Sequence, residues 1–191
     1  MVMARPLSEE KREAILAAAT ELVARLGTSA STAKIADAAG LGEGTLFTYF
    51  PTKDDLLNQL LLEIETSLAE ALFASSKRSG TPRQRVQRIW DCLIEWGAEH
   101  PLQRKAMRQL RVSDRISAEN RQRCHALFRD ARETIEQSLS GRVDPERASF
   151  YIDTVMMGLA DIAIEAIAAA PKQHEHFKQA GFDLFWKGVA A

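Results

Sequence analysis

The stretch from Thr32 to Leu57 constrains this chain more than any other, because its caps, glycines and apolar residues fit two short helices meeting at a corner and a third, freshly capped helix. Thr32, aided by Ser31, can accept the orphan backbone N–H bonds that open a short helix, and Ile35, Ala36 and Ala39 then share one side of it. Gly40 can take the left-handed conformation that closes the helix, and Leu41 can plug the angle between two packed helices. A second helix fits from Gly42 to Phe50, with Leu46 and Phe50 four apart and pointing inward. Pro51 stops it, and Thr52-Lys53-Asp54-Asp55 has the pattern of a reciprocal cap for the next helix.

The outward side of the second helix carries the chemistry. Gly44 and Thr48 project opposite Leu46 and Phe50, with Thr45 and Phe47 on the flanks, giving a small, polar and aromatic face suited to a major groove about 12 Å wide. Gly44 lets a backbone approach closely. Thr45 and Thr48 can donate to phosphates or base edges, Phe47 can meet a thymine methyl, and Tyr49 offers a hydroxyl to the nucleic-acid backbone. Lys53 stands in a first turn whose free N–H groups and positive dipole attract a phosphate. Glu43 is open to two readings: a reader that accepts from cytosine N4, or a solvated carboxylate favoured by the helix dipole.

These residues resemble the TetR/AcrR family of bacterial one-component regulators, in the run of Thr32, Ile35-Ala36, Ala39-Gly40, Gly44-Thr45-Leu46-Phe47, Tyr49-Phe50 and Lys53 before Leu56-Leu57. The resemblance spans roughly Ile15 to Leu57. It implies an N-terminal three-helix DNA-binding domain over residues 1–53 and a larger helical domain over 54–191 that dimerises and binds a small molecule. By position, Thr32, Gly44, Thr45, Phe47, Thr48, Tyr49 and Lys53 match the family's DNA-contacting sites. Two residues depart from the pattern. Phe47 stands where the family usually has tyrosine, removing a phosphate-bonding hydroxyl, and Glu43 stands where lysine, glutamine or a small polar residue is common. The alternative function is a helical ligand- or partner-binding protein with a degenerate reading helix.

Charge refines the expectation. Residues 1–53 carry six basic and six acidic groups, so affinity for DNA has to come from placed groups such as Lys53, Lys34 and Arg5 or Lys11 on the N-terminal arm. Cys92 and Cys124 lack CxxC spacing and read as buried thiols of a reduced, cytoplasmic protein. His100, His125, His174 and His176 show no ligand spacing, so neither a metal nor another cofactor is expected. No Gly-rich phosphate loop or serine elbow points to an enzyme. The longest apolar run, Val155 to Ala170, is broken by Asp161 and Glu165, and no signal-peptide pattern opens the chain, so no membrane association is expected.

The remaining pattern is helical throughout, predicting an all-α fold of about nine helices. Ile15, Ala18, Ala19, Leu22, Val23 and Leu26 form the stripe of a first helix between Ser8 and Gly27. A long fourth helix carries Leu56, Leu57, Leu60, Leu61, Ile64, Leu68 and Leu72 toward a loop at residues 75–80. Thr81-Pro82 opens a helix with Val86, Ile89, Trp90, Leu93 and Ile94 inward, followed by a short basic helix from Leu102 to about Val112. One helix is predicted from Ser117 to Ser140, with Cys124, Leu127, Phe128, Ala131, Ile135 and Leu139 aligned, and another from Asp144-Pro145 to Ala170. A last one runs from Gln173 to Val189. Apolar surplus on the last two predicts a homodimer through a four-helix bundle, with Ile152, Leu159, Ala163, Ile167, Phe177, Phe182, Phe185 and Trp186 at the interface. Trp90, Trp96, Met107, Phe128, Tyr151, Met156 and Met157 are candidates to line a cavity for an apolar or amphipathic effector. Arg104, Arg108 and Arg111 read either as a solvated face or, near its mouth, as groups that could favour an anionic or acyl-type effector. The partners expected are therefore double-stranded DNA with a near-palindromic operator, a small-molecule effector and a second copy of the chain.

Overall fold

The computed structural model describes residues 8–74 and 79–189, and every regular element among them is helical. In chain order these are α1 (Glu9–Leu26), α2 (Thr32–Ala38), α3 (Glu43–Tyr49), α4 (Lys53–Ala74), α5 (Pro82–Glu99), α6 (Pro101–Arg111) and α7 (Ala118–Leu127). They continue with α8 (Arg129–Leu139), α9 (Pro145–Phe150), α10 (Met157–Ala169) and α11 (His174–Gly188). The chain forms two compact units, one made of Met1–Thr66 with Pro101–Cys124, the other of Ser67–His100 with His125–Ala191. The first unit is therefore larger than the 1–53 segment that carries the reading motif, and it is assembled from two separate stretches of chain.

In the first unit α1 packs along α6 and against α2, and α2 packs on α3. Ile15, Ala19 and Val23 of α1 are sealed from solvent with Ile35, Leu46, Leu56 and Leu57, each large aliphatic side chain contributing about 1.5–3 kcal/mol of transfer free energy. Leu26, placed on the same stripe by periodicity, is exposed because Gly27 ends the helix at φ 68°. All seven leucine and isoleucine residues predicted for the α4 stripe are buried. Polar ties add direction. Arg12 pairs with Glu63 at 2.6 Å, and the nearly buried Glu65 accepts from Arg111 Nε at 2.7 Å.

In the second unit α5 packs against α8, α10 and α11, and α10 lies along α11. α5 opens at Thr81-Pro82, as the sequence pattern predicts, and Thr81 and Gln84 close a reciprocal capping box there. Trp90 is fully buried, its indole N–H donating to the Lys178 carbonyl at 2.9 Å and its ring packing on Phe182. Gly181 is required there, since a Cβ would lie 2.7 Å from Trp90 Cζ2.

Two elements differ from the sequence prediction. The single helix expected over 117–140 is two helices, broken at Phe128, where φ is −98° and ψ is 7°. Cys124 ends the first compact unit and His125 resumes the second, so the stripe joining Cys124 to Ile135 and Leu139 does not serve one core. The helix expected from Asp144 to Ala170 is helical along its length, but Tyr151–Met156 is wound as a π-helix. That widened stretch rotates the following residues, leaving Ile162 67% exposed although the α-helical periodicity placed it inward.

Candidate nucleic-acid interface

The α2–α3 corner is built as its residues dictate. The Ser31 hydroxyl accepts from the Lys34 backbone N–H at 3.3 Å and caps α2. Gly40, at φ 68°, turns the chain, and the Leu41 N–H closes back onto the Ala36 carbonyl at 2.9 Å. Capping thus falls to Ser31 and not to Thr32, a correction with a consequence. Thr32 is left to donate its hydroxyl to Glu43 Oε1 at 2.6 Å, tying the start of α2 to the start of α3.

Leu46 and Phe50 fasten α3 inward, both buried. Glu43, Gly44 and Thr48 are exposed, Phe47 is 40% exposed, and Thr45 and Tyr49 are half-buried. Thr48 donates to the Gly44 carbonyl at 3.0 Å, which commits its proton to the helix backbone and leaves its oxygen able to accept. The Tyr49 hydroxyl accepts from the Ser8 backbone N–H at 2.9 Å, fixing the entry to α1 while its own proton stays available to an acceptor. No heavy atom lies within 4 Å of a Cβ built on Gly42 or Gly44, so the edge of α3 is bare.

At the start of α4, Thr52 and Asp55 cap one another: the Asp55 N–H donates to Thr52 Oγ1 at 3.0 Å, and Thr52 N–H donates to the Asp55 carboxylate at 3.0 Å. Lys53 occupies the first turn so formed. Its ammonium pKa is lowered, first by burial and then by the Arg115 charge, with Asp54 opposing. Arg115 was not anticipated from the sequence. It reaches this spot from the α6–α7 turn, donating to Asp54 at 2.7 Å, while Asn58 donates to the Arg115 carbonyl at 2.9 Å and accepts from the Ser117 N–H at 3.0 Å. A charge count by unit could have pointed to it. Residues 1–66 carry six basic and ten acidic groups, whereas 101–124 carry seven basic and two acidic, so the cationic part of this unit comes from the later segment. Lys34 and Lys11 are exposed, and Arg5 lies outside the described residues.

The residues proposed for effector and dimer contact fall elsewhere. Met107 is buried in the first unit, and Trp90, Trp96, Phe128, Tyr151, Met156 and Met157 belong to the second. Within the second unit an open groove of about 350 Å³ is lined by Trp96 with Ser67, Glu70, Cys92, Glu95 and His100. It is acidic, and Arg104, Arg108 and Arg111 do not line it. Ile152, Ala163, Ile167, Phe182, Phe185 and Trp186 are buried within their own chain, and Leu159 and Phe177 are half-buried. The apolar side chains that α10 and α11 leave exposed are instead Ile162 and Leu184. His174 lies beside Glu95 and Glu175, yet Lys178 Nζ already holds both carboxylates at 2.6 and 2.7 Å, which fills that cluster with its own cation. No helix among the described residues is long and apolar enough to cross a membrane.

The fold and this surface define an all-helical protein with a helix-turn-helix in its N-terminal unit. Residues 15–60 match the family described as bacterial regulatory proteins, tetR family. A tetR family transcription regulator from Shewanella sp. PV-4 is similar at 30% identity with a TM-score of 0.82, over 95% of this chain and 98% of that one. One from Marinobacter aquaeolei VT8 shares the fold, with a TM-score of 0.78 at 24% identity over 95% and 96% of the two chains. The nucleoid occlusion factor SlmA of Actinobacillus pleuropneumoniae is 32% identical over 71 residues, 37% of this chain, so the chain spans only 35% of that relative's length. The chain belongs to the TetR family of transcription regulators.

Proposed function

We propose that the chain is a dimeric, sequence-specific DNA-binding repressor whose small-molecule effector lowers its affinity for the operator. The observation that carries this reading is the bare edge of α3, with Gly44, Thr45, Phe47 and Thr48 outward beside the capped Lys53 of α4. In it, α3 enters the major groove, Thr45, Thr48 and Phe47 meet base edges, and Thr32, Lys34, Tyr49, Lys53 and Arg115 address phosphates. A dimer through α10 and α11 is supported by the exposed Ile162 and Leu184 on two helices that already pack together. Effector binding belongs to the second unit, where Trp96 borders a groove.

The test is retardation and footprinting of the gene's own upstream DNA by the full chain. Two protected half-sites are expected, one helical turn of about 34–36 Å apart or a simple multiple of it. Absence of retardation at low salt would instead favour a helical ligand- or partner-binding protein whose reading helix has degenerated.

A further inference from the structure

We infer that Glu43 is a specificity-determining residue, which accepts a hydrogen bond from the exocyclic amino group of a cytosine in each half-site and is aimed there by Thr32. This rests on the DNA-binding reading and names the base chemistry of that surface. Three observations carry it. Glu43 is exposed on the edge of the reading helix, between two glycines whose surroundings are empty. Its Oε1 is held by the Thr32 hydroxyl at 2.6 Å, which fixes the carboxylate and leaves Oε2 unengaged. Among the described residues no basic side chain forms an ion pair with it.

A fixed, unpaired carboxylate on a surface that meets a polyanion is repelled unless it faces a hydrogen-bond donor. In the major groove donors are few. Guanine and thymine present acceptors, and the adenine N6 amino group lies between the acceptors N7 and O4 of its pair. Cytosine N4 stands at the outer edge of its pair with an acceptor on one side only. A single carboxylate oxygen therefore meets least repulsion at cytosine. A carboxylate that merely braced the α2–α3 corner would not distinguish bases.

Selection from a pool of random duplexes by the full chain tests the inference. Wild type should enrich a cytosine at one position of each half-site, disfavouring other bases there by about fivefold or more. Glu43→Gln keeps an oxygen for Thr32 and adds an amide donor, so the preference at that position should move toward adenine, whose N6 and N7 an amide can satisfy together. Thr32→Val should flatten the preference at the same position and leave the others in place. The inference is overturned if Glu43→Gln and wild type enrich the same bases everywhere, or if Thr32→Val leaves the preference at that position as strong as in wild type. Failure of the wild-type chain to enrich any sequence would overturn the DNA-binding reading itself, and this inference with it.

Discussion

Lys53 and Arg115 set the residue-scale behaviour of the corner proposed to meet phosphate, because each is a cation beside the other with Asp54 as their shared counter-charge. Lys53→Ala is expected to weaken binding to all sequences alike and to reduce the slope of log affinity against log salt by about 0.9. Arg115→Ala should do the same, and Asp54→Asn should act in the opposite sense. If Arg115 served only to clamp Asp54, both substitutions would weaken binding together, and titrations at several salt concentrations separate the two outcomes. Cys124 behaves differently. Burial, then the charge of Glu65 and a hydrogen bond to it, push this thiol up from 9.0 to about 12. The folded state thus holds the proton more tightly than the unfolded one, a contribution to stability fully present below pH 9 and lost as pH rises toward 12. Alkylation at pH 9–10 should spare Cys124 in the native protein and modify it once denaturant is added, as peptide mass mapping would show.

At the scale of elements, close packing and caps give the sharpest expectations. Gly181→Ala would drive a methyl into the Trp90 ring, at 2.7 Å from Cζ2, and should destabilise the protein by about 1–3 kcal/mol in denaturant titration. Thr52→Ala removes one half of the α4 cap and should cost about 1 kcal/mol. A larger loss of DNA affinity than Lys53→Ala alone would show that the cap also sets the orientation of the first turn. Elements written by local rules were legible in the sequence: the Gly40 turn, the caps at Thr52, Thr81 and Asp144, and the leucine stripe of α4 all follow from neighbours within one or two turns. The break at Phe128 and the π-wound stretch at Tyr151–Met156 were not, since no proline or glycine lies within either; the first falls close to the boundary between the two units at Cys124 and His125, and no local pattern marks the second. The same holds for Arg115. Its place beside Lys53 comes from a chain separation of about sixty residues, which no short-range spacing encodes.

For the whole molecule, the apolar residues left over by the fold decide the dimer hypothesis. The sequence showed an apolar surplus on the last two helices, and the fold turns Phe182, Phe185 and Trp186 of it into the chain's own core. Ile162, 67% exposed, and Leu184, 62% exposed, remain. Leu184→Glu or Ile162→Glu should give a folded monomer in sedimentation with operator affinity reduced at least tenfold, since a lone half-site contact forfeits the linked second one. Retention of the dimer by both variants would remove α10 and α11 from the interface.

The pairing of α1 with α6 also has a consequence for how the protein is made. When the ribosome has finished the reading motif, the α6 surface along which α1 will rest does not yet exist. Roughly 55 further residues must emerge before α6 is complete, on the order of five seconds at typical elongation rates. During that interval α1 keeps an uncovered apolar flank, so a nascent chain stalled after α4 is a client for chaperones and is not yet a regulator. A truncated gene product ending near residue 66 would meet the same fate permanently.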